Sequence, residues 1–233
     1  ANTFIHDADV AQDQKIYGTD EGHDILWALD PKSGVIEKYP LPDIDLPRGG
    51  IFSGMKLPIG VFSGKHGPHS MAQTRDGRIW ITNALSSTLM SFDPKTKQFK
   101  TYPVGHDALY PHTIRVDQND VLWFTIVASN QIGRFDPATG EMKVMRLPSN
   151  GFIRWTSDML FPTLMRFGSW FPDQAALLNL STHRFFGYNI LAFPYGIDVN
   201  PVDGSIWYAK LYASRIGRID PRTLEVAEWE TPM

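Results

Sequence analysis

The sequence predicts an all-β chain made of repeated four-stranded antiparallel units. Three observations carry that prediction. One spaced motif recurs four times, short aromatic and β-branched runs alternate with turn formers, and the 19 Gly and 17 Pro are spread along the chain rather than clustered. Length and composition agree: 233 residues, 42% hydrophobic and 20% charged, are enough for a large core.

The motif is an aromatic residue followed 13 positions later by Asp-Pro: Trp80 with Asp93, Trp123 with Asp136, Trp207 with Asp220, and Tyr17 with Asp30 in the first copy. Each Asp precedes Pro in a tight turn, where its carboxylate accepts backbone N–H bonds, so these four acids read as structural. The third copy shows the strands: "HTIRV" alternates, "LWFT" is aromatic and β-branched after the turn "DQND", and "QIGRF" and "MKVMRL" follow. Four short strands per unit of about forty residues is the pattern of a β-propeller blade, stacked around an axis because one blade cannot bury both faces. The reading is a single propeller domain, or a segment of one, over 1–233.

Spacing also exposes two interruptions. Tyr17 to Trp80 is 63 residues against 43 for Trp80 to Trp123, which places an inserted loop at 43–65. Trp123 to Trp207 is 84, and the apolar stretch 149–193 between them lacks the Asp-Gly and Asp-Pro marks. It reads as a partly helical insertion, with a degenerate blade carrying Trp170 in the Trp position as the rival. Its apolar side chains need a cover: the protein's own blades, a partner protein or a membrane surface.

Composition excludes several function classes. A net charge of −3 and no basic stripe argue against nucleic acid. The absence of Cys excludes disulfides and thiolate metal sites. No apolar run approaches a membrane span, and no nucleotide-binding loop, nucleophile elbow or H-E-x-x-H motif is present. The chain opens with Ala, which sets an expectation of processing or truncation upstream.

The functional signal lies eleven residues before each aromatic, where His6, His69 and His112 stand; the last unit has Tyr195 there, one residue further back. His69 and His112 each follow a Pro. The position begins the first and innermost strand of a blade, so the fold turns linear spacing into a ring at one mouth of the channel. Neutral imidazoles there suit transition metals and acid–base work near pH 7. The competing reading is structural, a His that caps backbone or packs on the next blade. On the functional reading His69 and His112 are the catalytic candidates, His6, Tyr195, Asn83, Lys210 and Asp20 bind ligand, and His6, His69 and His112 hold any metal. Asp20 and Glu21, after the Thr that follows the first aromatic, are the carboxylates expected nearest the channel.

"PHTIRVDQNDVLWFT…NQIGRFDPATGEM" and "PYGIDVNPVDGSIWYAK…SRIGRIDPRTLEVAEWETP" resemble the streptogramin B lyase (virginiamycin B lyase)-like β-propellers, relatives of the NHL-repeat and gluconolactonase-type propellers. The resemblance covers 66–148 and 194–233 well and 1–42 moderately, and leaves 149–193 unexplained. It implies a seven-bladed ring, lactone opening by elimination, a bound Mg ion, a channel His as acid or base, and a Glu after the "WFT" strand. The family's Pro-His matches His69 and His112, and His6 by spacing. The Glu position holds Asp20, Asn83, Ile126 and Lys210 instead. Four visible blades against seven imply a segment of a longer ring or one completed by a partner. Family habit also implies an extracytoplasmic, periplasmic location. The alternative to a small-molecule enzyme or binder is a non-catalytic extracytoplasmic scaffold in a larger assembly.

Overall fold

The computed structural model describes residues 3–53, 64–171 and 191–232. The remainder of the 43–65 and 149–193 segments, and His183, lie outside the described residues. The described chain forms four antiparallel sheets of four strands, each in sequence order. Blade 1 is β1 (Ile5–Val10), β2 (Ile16–Asp20), β3 (Ile25–Leu29) and β4 (Ile36–Pro40). Blade 2 is β5 (Pro68–Gln73), β6 (Ile79–Asn83), β7 (Thr88–Asp93) and β8 (Gln98–Pro103). Blade 3 is β9 (Pro111–Val116), β10 (Leu122–Ile126), β11 (Gln131–Asp136) and β12 (Glu141–Arg146). Blade 4 is β13 (Pro194–Val199), β14 (Ile206–Lys210), β15 (Arg215–Ile219) and β16 (Val226–Glu230). A helix, α1 (Phe152–Trp170), stands between blades 3 and 4 in sequence.

The core lies between blades. Tyr17, Leu26, Met71, Ile81 and Phe92 pack blade 1 on blade 2. Trp80, Leu89, Ile114, Phe124 and Phe135 pack blade 2 on blade 3, and Trp123, Ile132, Ile197 and Tyr208 pack blade 3 on blade 4. The recurring aromatic thus fills each joint, and its polar atom is met at the preceding turn. Trp80 Nε1 donates to Thr74 Oγ1 at 3.0 Å, Trp123 Nε1 to Asp117 Oδ2 at 3.0 Å, and Tyr17 Oη to Asp13 Oδ2 at 2.9 Å. Truncating a wholly buried Trp of this kind costs about 3–5 kcal/mol. Gly133, opposite Phe124 in the β10–β11 pairing, leaves room for that ring; a Cβ there would lie 2.2 Å from it.

The Asp-Pro turns are structural in the way their sequence suggests. Asp30, Asp93, Asp136 and Asp220 each accept a backbone N–H two residues on, at 2.8 to 2.9 Å.

Helix α1 covers one end of the propeller rather than joining it as a blade, and Trp170 ends this helix and lies on no strand. Phe161 and Met165 bury against Ile51, Phe52, Leu85, Leu109 and Ala128, all from loops at that end. Pro162 sits inside the helix and has no N–H for the Asp158 carbonyl, which Arg146 Nη1 takes over at 3.0 Å. The opposite side of α1 is exposed and apolar, with Phe152, Trp155, Leu160, Leu164, Phe167 and Trp170 open to solvent. No helix among the described residues is long and apolar enough to cross a membrane.

Candidate functional site

Each ring residue is the second residue of an innermost strand: His6 on β1, His69 on β5, His112 on β9 and Tyr195 on β13. In every blade the ladder to the next strand shifts register there, between Ile5 and Asp7, Pro68 and Met71, Pro111 and Ile114, and Pro194 and Ile197. Such bulges re-aim a side chain and recur beside functional sites.

In blades 2 to 4 the Pro before the ring residue belongs to the same device. It opens the strand at an edge, where no ladder N–H is needed. The residue before it turns the chain inward with positive φ: 61° at Gly67, 65° at Tyr110 and 58° at Phe193. For bulky Tyr110 and Phe193 this conformation stores about 1–3 kcal/mol each. In blade 2 the approach is pinned further by Asp24, whose carboxylate accepts from the backbone N–H of Lys65, His66 and Gly67.

The Thr two residues past each aromatic stitches the bulges together. Thr19 Oγ1 accepts from Asp7 N at 3.2 Å and donates to the carbonyl of His69 in the next blade at 2.8 Å. Thr82 does the same for Ser70 N and the His112 carbonyl, and Thr125 for Thr113 N and the Tyr195 carbonyl. Blade 3 therefore meets blade 4 directly. In blade 4 the position holds Ala209.

The four side chains converge. Ring centroids are 3.7 Å apart for His6 and His69, 3.9 Å for His69 and His112, and 4.1 Å for His112 and Tyr195. Tyr110 stands 5.9 Å from both His69 and His112. Burial holds His69 well below the usual imidazole range, reinforced by the neighbouring imidazoles. It pushes His112 down to about 3, and lowers His6 despite the Asp7 charge beside it. The three imidazoles are neutral at pH 7.

Glu21 completes the site. Only 2% exposed, it lies with His6 and His69 so that one ligand atom from each falls within 4.8 Å of the others. Burial raises its carboxyl to about 7, against a hydrogen bond from the Tyr110 hydroxyl at 3.2 Å that favours the charged form. Asp20, its neighbour, has its carboxylate engaged with Phe4 N, His23 Nδ1 and Trp27 Nε1. Strand alternation explains the difference. Asp20 ends β2 and pairs with Ile5, pointing away from the side that Thr19 faces, and the next residue returns to that side. Tyr110 carried no signal in the spacing; its mark was its place directly before the Pro-His pair.

The other expected ligand-binding residues bond to neighbours outside the ring. Asn83 Nδ2 donates to Thr88 Oγ1 at 3.0 Å, while its Oδ1 is buried without a partner. Lys210, buried, pairs with Glu228 at 2.6 Å and donates to the Pro148 carbonyl. His66 is a buried structural histidine, its two ring nitrogens meeting Ser86 Oγ at 3.1 Å and the Pro42 carbonyl at 2.8 Å. His69 differs: its Nδ1 is buried without a partner.

No protein-family model matches the sequence, and no curated protein matches it. Solved structures do. A catalytically inactive virginiamycin B lyase from Staphylococcus aureus, with Quinupristin, superimposes with a TM-score of 0.68 at 17% identity, over 100% of this chain and 57% of that one. A streptogramin B lyase gives 0.64 at 22% identity, over 97% and 54%. Kuenenia stuttgartiensis hydrazine synthase gives 0.61 at 12% identity, over 99% and 51%. The chain spans about half the length of each of these proteins. It shares the β-propeller fold of the streptogramin B lyases.

Proposed function

We propose that the ring at the channel mouth is a small-molecule site and that it performs acid–base chemistry of the carbon–oxygen lyase kind on a lactone or related ester. One contrast carries this reading. The structural histidine of the same chain, His66, has both ring nitrogens satisfied, whereas His69, equally buried, keeps Nδ1 without a partner beside two further imidazoles. Buried polar atoms are nearly always paired, so an unpaired one facing a set of functional groups marks a place for a ligand.

His112 is the acid–base group the geometry favours. Its Nδ1 lies 2.8 Å from Thr113 Oγ1, which fixes the ring and leaves Nε2 on the opposite edge. In an elimination the imidazole takes a proton from the carbon next to the C–O carbon. That electron pair forms the C=C bond, and the carboxylate leaves with the C–O pair. The Mg ion expected from the resemblance finds a poor donor set here. Mg prefers oxygen ligands, and two of the three clustered donors are imidazoles.

The test is binding and turnover of a panel of cyclic depsipeptide lactones by the wild type, His69→Ala and His112→Ala. Loss of turnover by about 100-fold or more in His112→Ala supports the reading. Wild-type behaviour in both variants, or no binding by any of the three proteins, overturns it.

The exposed face of α1 favours a second reading, an extracytoplasmic scaffold that docks a partner protein through Trp155, Leu164, Phe167 and Trp170. Leu164→Glu with Phe167→Glu leaves buried Phe161 and Met165 in place. A fall in native assembly size supports docking; an unchanged size, or lost sedimentation with lipid vesicles instead, removes it.

A further inference from the structure

We infer that His6, Glu21 and His69 form a binding site for a zinc-class divalent transition ion. Their three ligand atoms lie within 4.8 Å of one another on side chains from two blades. Two imidazoles and one carboxylate, with an open fourth position, is a donor set that suits zinc and its neighbours rather than an ion demanding six oxygens. The inference rests on the channel mouth being a ligand site, but on no catalytic activity there.

Two further observations point to an ion. Glu21 is a carboxylate at 2% exposure, and among the described residues no Lys, Arg or His forms an ion pair with it. Among the described residues its carboxylate accepts one hydrogen bond, from the neutral Tyr110 hydroxyl. By contrast Glu228, whose side chain is 5% exposed, has the Lys210 ammonium at 2.6 Å. A buried acid without a cation is costly, and a metal ion supplies one. The second observation is His69 Nδ1, buried and unpartnered on a residue 3% exposed.

The rest of the mouth agrees. Tyr110 binds the Glu21 carboxylate as outer partners do for metal ligands. His112 stays outside the set but borders it, 3.9 Å from His69 by ring centroid, leaving it free for proton transfer beside the ion. The carboxylate is reached from the residue after β2, one position beyond that which the family resemblance marks.

Cobalt(II) is the probe. The whole protein is stripped with chelator and titrated with Co2+, then Zn2+ and Mg2+, following visible absorption and calorimetric heat. The expected result is one Co2+ per chain with the absorption of an imidazole-bound ion, displaced by Zn2+ and not by Mg2+. Glu21→Gln and His69→Ala, with folding confirmed by circular dichroism, should each weaken Co2+ by more than the roughly 100-fold that outer-shell losses reach. His112→Ala should retain it. Equal binding of Mg2+, no Co2+ binding, or unchanged Co2+ affinity in Glu21→Gln overturns the inference. Because His112→Ala separates the two, tight Co2+ binding without lactone turnover refutes the lyase reading alone. Turnover dependent on His112 without Co2+ binding refutes the ion alone.

Discussion

The Tyr110 hydroxyl donates to the Glu21 carboxylate at 3.2 Å, joining blade 3 to blade 1 across the ring of imidazoles. Glu21 is buried and Tyr110 partly buried, and the bond favours the charged form of Glu21. Tyr110→Phe keeps the ring and deletes the bond. A hydrogen bond to a charged acceptor contributes about 1.5–3 kcal/mol and one to a neutral acid about 1 kcal/mol. Urea unfolding of the metal-free variant should therefore show a larger loss at pH 8 than at pH 5, with the Glu21 carboxyl moved further upward.

Glu21 also makes metal-free stability depend on pH. Its carboxyl rises from an ordinary value near 4.5 to about 7 on folding. A group raised on folding stabilises the native state below its unfolded value, and that stability is lost as pH rises to the folded value. Between pH 4.5 and 7 the metal-free protein should lose on the order of 3 kcal/mol through this group. Glu21→Gln should flatten that slope and be the more stable protein at pH 8. An equally steep slope in the variant would place the titration elsewhere.

The Thr stitch predicts a cost shared by two blades. Thr82 is fully buried, accepts from Ser70 N and donates to the His112 carbonyl. Thr82→Val keeps the shape and strands both groups, for about 2–4 kcal/mol in chemical denaturation. It should also loosen His112 and lower ligand affinity. Asp93→Asn, in an exposed turn, should change stability little and leave the ring untouched.

Gly133 tests the joint between blades 2 and 3. A side chain there meets the Phe124 ring within 3 Å, so Gly133→Val should cost about 1–3 kcal/mol or more in thermal unfolding. A neutral result would mean that Phe124 has room to move.

The fold was legible because each blade solves one packing problem with the same residues. The aromatic fills the joint, Asp-Pro makes the turn, and the spacing between them is kept, so four copies reveal one architecture. The ring was legible for the same reason: His6, His69, His112 and Tyr195 share a position. Glu21 was legible only from its place after the Thr of the first blade, and not apart from Asp20, while Tyr110 was not legible, because neither repeats. Glu21 lies one residue past the end of β2, where strand alternation, not motif spacing, decides which side it faces. Asn83 and Lys210 share Asp20's parity and are engaged away from the ring, a consequence of the same alternation. Helix α1 shows as an interruption of the period, but where its apolar sides face is set by tertiary packing.

On the proposed function the three spaced histidines are one neutral, ligand-ready site. Histidine nitrogen NMR at pH 7 tests it directly, with His23 and His106 as internal references. His6, His69 and His112 should resonate as neutral imidazoles. All three should also shift together on addition of Co2+ or a lactone ligand, while His23 and His106 stay in place. Protonated ring histidines, or ligand shifts confined to the reference residues, would contradict it.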